Sequence, residues 1–111
     1  MSILDKIRLL MPFRCMEKEI SYKEAINIIN EHPGEVILVD VRSKQEYNEG
    51  HLNGAICIPL YDINTIRNVV KNRDSIIILY CKSGIRSRKA AKILKDLCYT
   101  NVYTICKGVD I

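Results

Sequence analysis

A short segment centred on one cysteine carries the residue types best suited to chemistry. It reads Tyr80-Cys81-Lys82-Ser83-Gly84-Ile85-Arg86-Ser87 and joins an apolar run to a helical pattern. Main-chain N–H groups of a loop that curls around a cysteine stabilise its thiolate and lower its pKa from about 8.5 into the range of about 3.5–7.5. Gly84 allows the positive φ that such a loop needs. The segment therefore predicts an anion-binding cup with a nucleophile, Cys81, at its floor.

The charge around this loop is strongly positive. The chain has 17 Lys and Arg against 13 Asp and Glu, a net charge of +4, yet the segment 82–95 contains no acid. The cations of this segment are Lys82, Arg86, Arg88, Lys89, Lys92 and Lys95. The charge of Lys82 and the two-point hydrogen bonding of Arg86 favour an anionic substrate. For the cations beyond the loop, a solvated helix face is the structural alternative.

Strand and helix patterns alternate along the chain and position this loop. Short apolar runs predict strands at Val36–Val41, Gly54–Pro59, Ser75–Tyr80 and Asn101–Cys106. This order predicts βαβ units and hence an α/β fold, a small parallel β-sheet flanked by helices on both faces. Ligands of such sheets bind beyond the carboxyl ends of the strands. Cys81 follows the most apolar strand at such an end.

Helix signals stand between the strands. A capping box at Ser21–Glu24 begins a helix that Pro33 and Gly34 end, and Ser43–Glu49 predicts a polar helical turn closed by Gly50. Two further apolar stripes have helical spacing. They consist of Ile63, Ile66, Val69 and Val70, and of Ala90, Ile93, Leu94 and Leu97.

Length and composition limit the function classes. The 111 residues, 48% hydrophobic and 27% charged, fit one globular domain, predicted at 19–111, and exclude disorder. Residues 1–18 are predicted to be an N-terminal extension with a short amphipathic helix. No apolar run approaches the roughly 20 residues of a membrane span. Because charges interrupt residues 1–14, we expect no signal peptide, no membrane association and a cytoplasmic location.

The cysteines do not form a ligand or disulfide pattern. The chain has 5 of them, an odd number without a C-x-x-C pair, which argues against a zinc site and a secreted disulfide scaffold. We predict that Cys57, Cys98 and Cys106 are small buried apolar residues. No metal or cofactor is expected.

Several motifs together resemble the single-domain rhodaneses, a sulfurtransferase family. They are Asp40-Val41-Arg42, Glu46-Tyr47, Gly50-His51-Leu52-Asn53-Gly54-Ala55, Ile58-Pro59-Leu60 and the Cys81–Ser87 loop, in that order. The resemblance covers about residues 19–108. The chain departs from the family at the end, where Lys107-Gly108-Val109 replaces a glycine pair followed by tryptophan. One side of the site is therefore expected to be more open, or covered by residues 1–18.

The resemblance implies a rhodanese-like sulfurtransferase. Cys81 would take the outer sulfur of thiosulfate or another anionic donor, become a persulfide, and pass the sulfur to a thiol, cyanide or a protein acceptor. The loop residues expected to bind the donor are Lys82, Ser83, Gly84, Ile85 and Arg86. Asp40, Arg42 and Ser87 are expected to support the site structurally, and His51 is expected to be structural.

Two other functions are alternatives to sulfur transfer. Cysteine phosphatases place five residues between cysteine and arginine, whereas four separate Cys81 from Arg86, a ring that suits one sulfur atom and crowds a phosphate. A persulfide carrier or protein-interaction module of the same fold is the stronger alternative, since the basic helix would suit an acidic partner. Nucleic-acid binding is not expected, because the basic helix lacks interleaved aromatic residues.

Overall fold

The computed structural model describes residues 18–111, which form a five-stranded sheet with all strands parallel. The strands are β1 (Glu19–Ile20), β2 (Val36–Asp40), β3 (Ile56–Cys57), β4 (Ile76–Tyr80) and β5 (Val102–Ile105). Their order across the sheet is β1-β5-β4-β2-β3. The strand that leads into Cys81, β4, therefore lies at the centre, with β2 and β5 as its neighbours.

Helices connect the strands. They are α1 (Tyr22–Glu31), α2 (Lys44–Glu49), a 3-10 helix (Leu60–Thr65) continued by α3 (Ile66–Val69), and α4 (Ile85–Asp96). Both predicted helix starts are present: Ser21 and Ser43 cap α1 and α2 with complete capping boxes. The longest of these helices, α4, has 12 residues, and none within residues 18–111 has the length and apolarity that a bilayer span requires.

Apolar side chains cover both faces of the sheet. On one face, Ile77, Leu79 and Cys81 pack with the 3-10 helix, α3 and α4. On the other face, Ile78 and Tyr80 pack with α1 and α2. Alternate residues of β4 thus enter opposite cores, as the side-chain period of a strand requires. The continuous apolar run at residues 76–80 is explained by burial on both sides, and the predicted α/β class is confirmed.

Three details differ from the sequence prediction. The strand predicted at 54–59 is only Ile56–Cys57, because residues 52–55 form a turn and Pro59 has no N–H for the ladder. Val69, predicted to lie on the apolar face of a helix, is 60% exposed, whereas Val70 is buried. The 3-10 helix has three residues per turn, so its change to an α-helix at Ile66 shifts the apolar face and turns Val69 outward. The edge strand β1 was not predicted.

The ends of the domain also bear on the site. Strand β1 pairs with β5 through Glu19↔Thr104 and Ile20↔Ile105. The amphipathic helix predicted within residues 1–18 lies outside the described residues, apart from Lys18. After β5, the N–H of Val109 donates to the carbonyl of Cys81 at 2.8 Å. The final residues are therefore fastened to the strand end that carries the candidate nucleophile.

Candidate active site

The sulfur of Cys81 lies at the carboxyl end of β4, at the floor of the loop that leads into α4. The N–H of Gly84 lies 3.0 Å from Sγ and the N–H of Ser87 lies 3.4 Å from it. The Ser87 hydroxyl is a third polar neighbour, at 3.6 Å. The residue is 0% exposed and its other contacts are with the apolar core. The predicted inward orientation of the loop N–H groups is confirmed for Gly84 and Ser87.

Two opposing effects act on the thiol of Cys81. Burial raises its pKa because a charged sulfur loses hydration. The hydrogen bonds from the Ser87 N–H and hydroxyl, and from the N–H groups of Gly84 and Ser83, lower the pKa, and together they outweigh burial. The net pKa lies below the ordinary value of 9.0. Hydrogen bonds to the charged form thus stabilise a thiolate in a site closed to water.

The loop depends on two glycines in left-handed conformation. Gly84 has φ 93° and immediately precedes α4, so the predicted positive φ is confirmed. Gly108 has φ 73°, and a Cβ there would lie 2.2 Å from the carbonyl oxygen of Lys82. A Cβ on Gly84 would in turn lie 3.2 Å from the Lys107 nitrogen. The chain after β5 therefore forms one wall of the cysteine loop, and only glycine at 108 permits that approach.

Arg86 makes its two-point contact with a residue of α2. Its guanidinium nitrogens lie 2.6 and 3.1 Å from the two carboxylate oxygens of Glu46. These hydrogen bonds hold the pKa of Glu46 at about 2. Arg86 was expected to hold an anion of the donor, but here the carboxylate of Glu46 occupies that position. Arg86 lies in α4, which begins at Ile85, earlier than the sequence suggested.

The Asp40–Arg42 pair lies at the end of the neighbouring strand. Arg42 Nε lies 3.0 and 3.1 Å from the two carboxylate oxygens of Asp40, and Nη2 lies 2.7 Å from one of them. Nη2 also donates to the carbonyl of Gly50 at 2.6 Å. Both side chains are buried. The pair fixes the turn after α2 through Gly50, and its role as a structural support of the site stays a prediction.

The remaining predicted site residues face outward. Lys82 and Ser83 are exposed, and Ile85 is 54% exposed at the first turn of α4. Ser87, predicted only as support, is buried and touches the sulfur through both its N–H and its hydroxyl. The structure therefore brings Gly84 and Ser87 to Cys81 and leaves the side chains of Lys82, Ser83 and Ile85 around the rim.

The prediction that Cys57, Cys98 and Cys106 are buried was wrong, since none of the three is fully buried. Cys98 is exposed, because it follows α4 with φ 70° in the turn toward β5. Cys57 is only half-buried, and its partial burial, followed by the nearby charge of Asp40, raises the pKa of its thiol. Cys106 is half-buried and disulfide-bonded. That disulfide does not fit the reading of the cysteines as unlinked thiols, and the cytoplasmic location stays a prediction.

Sequence reasoning gave no role to three residues of the site. Glu46 was noted only as part of a motif and of a polar helical turn, and its contact with Arg86 spans 40 positions. The approach of Gly108 to Lys82 had no local signal beyond a glycine after a strand. Thr104 had none: its hydroxyl, on β5, lies 2.7 Å from that of Ser87.

The parallel sheet and the cysteine loop at its carboxyl edge make this an α/β domain with a candidate cysteine nucleophile. A comparison of sequences identifies its family. The family model described as "Rhodanese-like domain" matches residues 21–110. The chain belongs to the rhodanese-like domain family.

Individual relatives agree with this assignment. Thiosulfate sulfurtransferase PspE of Escherichia coli is 35% identical over 65 residues, 58% of this chain and 62% of the relative. The tRNA uridine(34) hydroxylase of Buchnera aphidicola is 40% identical over 83 residues, 66% of this chain but 25% of the relative. The matched part of this chain thus corresponds to between a quarter and somewhat under two-thirds of the length of these curated relatives. A solved structure, a rhodanese with anions from E. coli, is 32% identical with a TM-score of 0.61, covering 66% of this chain and 86% of that one.

Proposed function

We propose that this domain is a sulfurtransferase that carries sulfane sulfur on Cys81. The Cys81 thiolate attacks the outer sulfur of thiosulfate, an S–S bond forms, and sulfite leaves with the electron pair of the bond that breaks. An acceptor thiolate or cyanide then attacks the outer sulfur of the persulfide. Cys81 leaves as a thiolate, so the cycle has two half-reactions and needs no metal or external base.

The observation that carries the proposal is the set of N–H donors around the Cys81 sulfur. Gly84 and Ser87 donate to Sγ at 3.0 and 3.4 Å, and the hydrogen bonds of the loop bring the pKa of the thiol below its ordinary value despite burial. The reacting form of a cysteine is the thiolate. A lowered pKa increases the fraction of Cys81 present as the thiolate at neutral pH and so reduces the need for a neighbouring general base.

The rim of the loop supports an anionic donor. Lys82 is exposed beside Cys81, whereas the charge of Arg86 is largely balanced by Glu46. Because Cys81 is 0% exposed, the terminal sulfur of a donor reaches it only after side chains at the rim move apart. The family membership and the relative named thiosulfate sulfurtransferase favour thiosulfate as the first donor to test.

Intact-protein mass spectrometry after incubation with thiosulfate tests the proposal. We expect the gain of one sulfur atom, its removal by cyanide with formation of thiocyanate, and no gain in Cys81→Ser. Cys98→Ser is the matched control, since it removes an exposed thiol outside the loop and should still take up sulfur. Sulfur found on Cys57 or Cys98 instead of Cys81 would overturn the assignment.

A protein acceptor is the second candidate, favoured by the basic face of α4. This face consists of Arg88, Lys89, Lys92 and Lys95, all exposed. Arg88 lies 3.7 Å from Glu19, whereas the three lysines extend the positive surface that begins at Lys82. An acidic acceptor that docks on this face would bring its thiol toward the start of the same helix. The domain would then act as a persulfide carrier with slow turnover of free thiosulfate.

A further inference from the structure

Two buried hydroxyl groups connect strand β5 to the sulfur of Cys81. Thr104 and Ser87 are 4% and 0% exposed, and their hydroxyl oxygens lie 2.7 Å apart. The Ser87 oxygen lies 3.6 Å from Cys81 Sγ. The three side chains therefore form a continuous polar chain within a largely apolar interior. A buried hydroxyl destabilises a protein unless it is hydrogen-bonded, so the contact between Thr104 and Ser87 is favoured.

The positions of the hydroxyl protons follow from counting donors and acceptors. Each hydroxyl has one proton and two lone pairs. Within residues 18–111, the Thr104 hydroxyl has one hydrogen-bond partner, the Ser87 oxygen, so Thr104 donates its proton there. The Ser87 hydroxyl donates to the carbonyl of Gly84 at 3.1 Å, and the neutral thiol of Cys81, 3.6 Å away, donates to the Ser87 oxygen. Once Cys81 is ionised, its sulfur becomes a second acceptor for the Ser87 proton, while Thr104 still occupies one lone pair of the Ser87 oxygen.

We propose that Thr104 is a positioning residue that favours the thiolate of Cys81 by fixing the Ser87 hydroxyl as a donor. Donation from Thr104 polarises the Ser87 O–H bond and makes it a stronger donor to a charged sulfur. A stronger donor stabilises the ionised form of Cys81 relative to the protonated form. The inference deepens the proposed function but concerns only the proton on Cys81.

The charged groups on the elements that surround Cys81 remain unchanged in the comparison that tests this role. They are Arg86 of α4 with its partner Glu46 of α2, Arg42 and Asp40 at the end of β2, Lys82 of the loop, and Lys107 of the turn after β5. Tyr80 precedes Cys81, and its phenolic oxygen accepts the Leu52 N–H. Within residues 18–111, none of these groups is hydrogen-bonded or ion-paired to the Thr104 side chain. A change at Thr104 therefore acts through Ser87.

The test is a titration of Cys81 in variants of Thr104. Thr104→Val keeps the shape and the β-branched side chain that suits a strand but removes the hydroxyl, and Thr104→Ser restores the hydroxyl without the methyl group. Thr100→Val is the matched control, because the Thr100 hydroxyl is also bonded, at 2.7 Å to Asp74, but is exposed and away from the loop. In each background, the ultraviolet absorbance of the thiolate is followed with pH and the signal of the same protein carrying Cys81→Ser is subtracted.

We expect Thr104→Val to raise the titration midpoint of Cys81 by about half to one pH unit, so that the thiolate fraction below the midpoint falls about three- to tenfold. Thr104→Ser should titrate close to the unmodified protein, and Thr100→Val should match it. A folded Thr104→Val with an unchanged midpoint, or a shift of equal size in Thr100→Val or Thr104→Ser, would overturn the proposal. Shifted titration without any sulfur uptake would instead leave this role standing and refute the sulfurtransferase function.

Discussion

Cys81 and Cys57 occupy the ends of two strands of one sheet and differ in what surrounds their sulfur atoms. The Cys81 sulfur receives N–H donors at 3.0 and 3.4 Å, whereas Cys57 Sγ lies 3.9 Å from a carbonyl oxygen, that of Arg42. Hydrogen bonds lower the pKa of Cys81 against the effect of burial, while burial and the charge of Asp40 raise that of Cys57. The reactivity of each thiol is thus set by the polarity of its nearest groups.

This contrast predicts separate pH profiles for the two thiols. We expect the alkylation rate of Cys81 by iodoacetamide to reach half of its plateau below pH 9.0 and that of Cys57 to do so above it, because the pKa values are shifted in opposite directions from that ordinary value. Peptide mass spectrometry resolves the two sites. Profiles with the same midpoint, or with Cys57 ionising first, would contradict the assigned environments.

The same shift has a consequence for stability with a definite sign. Between the lowered folded pKa of Cys81 and its value of about 9 in the unfolded chain, the native state binds fewer protons than the unfolded state. The free energy of unfolding, relative to Cys81→Ser, should therefore be greatest above pH 9 and decline as the pH falls through the folded pKa. Urea unfolding of both proteins across this range measures the difference.

At the scale of single residues, the sequence predicts the surroundings of the candidate nucleophile better than the partners of the residues at the rim. The donors to Cys81 come from Gly84 and Ser87, within six positions, so local loop geometry was enough to anticipate them. The partner of Arg86 is Glu46, and that contact depends on how α2 packs beside α4. Such packing cannot be predicted from the residues around Arg86 alone, so its guanidinium was expected to bind the substrate.

At the scale of elements, the Glu46–Arg86 pair joins α2 to the first turn of α4. The two side chains are 30% and 36% exposed, so solvent screens the pair and its stabilisation is modest, about 0.5–1 kcal/mol. Its larger effect concerns the charge at the rim. Because Glu46 pairs with Arg86, the attraction between the Arg86 charge and an incoming anion is largely cancelled.

Removing one partner of this pair at a time should change the KM for thiosulfate in opposite directions. Glu46→Gln uncovers the Arg86 charge while a glutamine still completes the capping box of α2, so KM should fall by about three- to tenfold. Arg86→Ala leaves the carboxylate unbalanced and should raise KM by a similar factor. Steady-state kinetics at low ionic strength measures both.

Controls for that experiment lie on the same helix and in the double variant. Glu49→Gln removes an exposed carboxylate of α2 whose hydrogen-bond partner within residues 18–111 is Gln45, and the KM of this variant should stay unchanged. The double variant Glu46→Gln with Arg86→Ala should return KM toward the starting value, since the local charge is again balanced. A KM that rises in both single variants would show that the pair matters for loop shape and not for charge.

The elements themselves were largely predictable. Capping boxes at Ser21 and Ser43 and the apolar run at 76–80 specify their helices and strand through local chemistry. Strand β1 could not be foreseen, because two residues carry no periodicity and its pairing with β5 is a contact across more than 80 positions. The exposed Val69 was missed because the 3-10 segment before it changes the helical period.

At the scale of the whole molecule, the positive and negative charges are similar in number but unevenly distributed. The net charge is +4, and the basic face of α4 lies beside the cysteine loop. Such a surface accelerates encounters with acidic partners in dilute salt and loses this effect as the Debye length shrinks. The encounter rate of small uncharged acceptors is not increased by this surface.

Charge reversal on this face should distinguish a protein acceptor from a small one. With Lys92→Glu and Lys95→Glu together, transfer from Cys81 persulfide to an acidic protein that carries one thiol should slow about tenfold at low salt, while transfer to cyanide should change little. Lys71→Glu, an exposed lysine before β4 and outside this face, is the matched control. Equal slowing by Lys71→Glu, or none by the α4 pair, would exclude docking on α4.

The closed position of Cys81 has a consequence for selectivity. In the closed structure the sulfur of Cys81 is shielded from reagents too bulky to pass between the rim side chains, such as aromatic maleimides. Among the free thiols of residues 18–111, the exposed Cys98 has no such shielding and should be the first to be glutathionylated. Oxidation would then modify the surface thiol Cys98 before it modifies Cys81. A covalent inhibitor directed at Cys81 would need a narrow reactive group that can pass between the rim side chains.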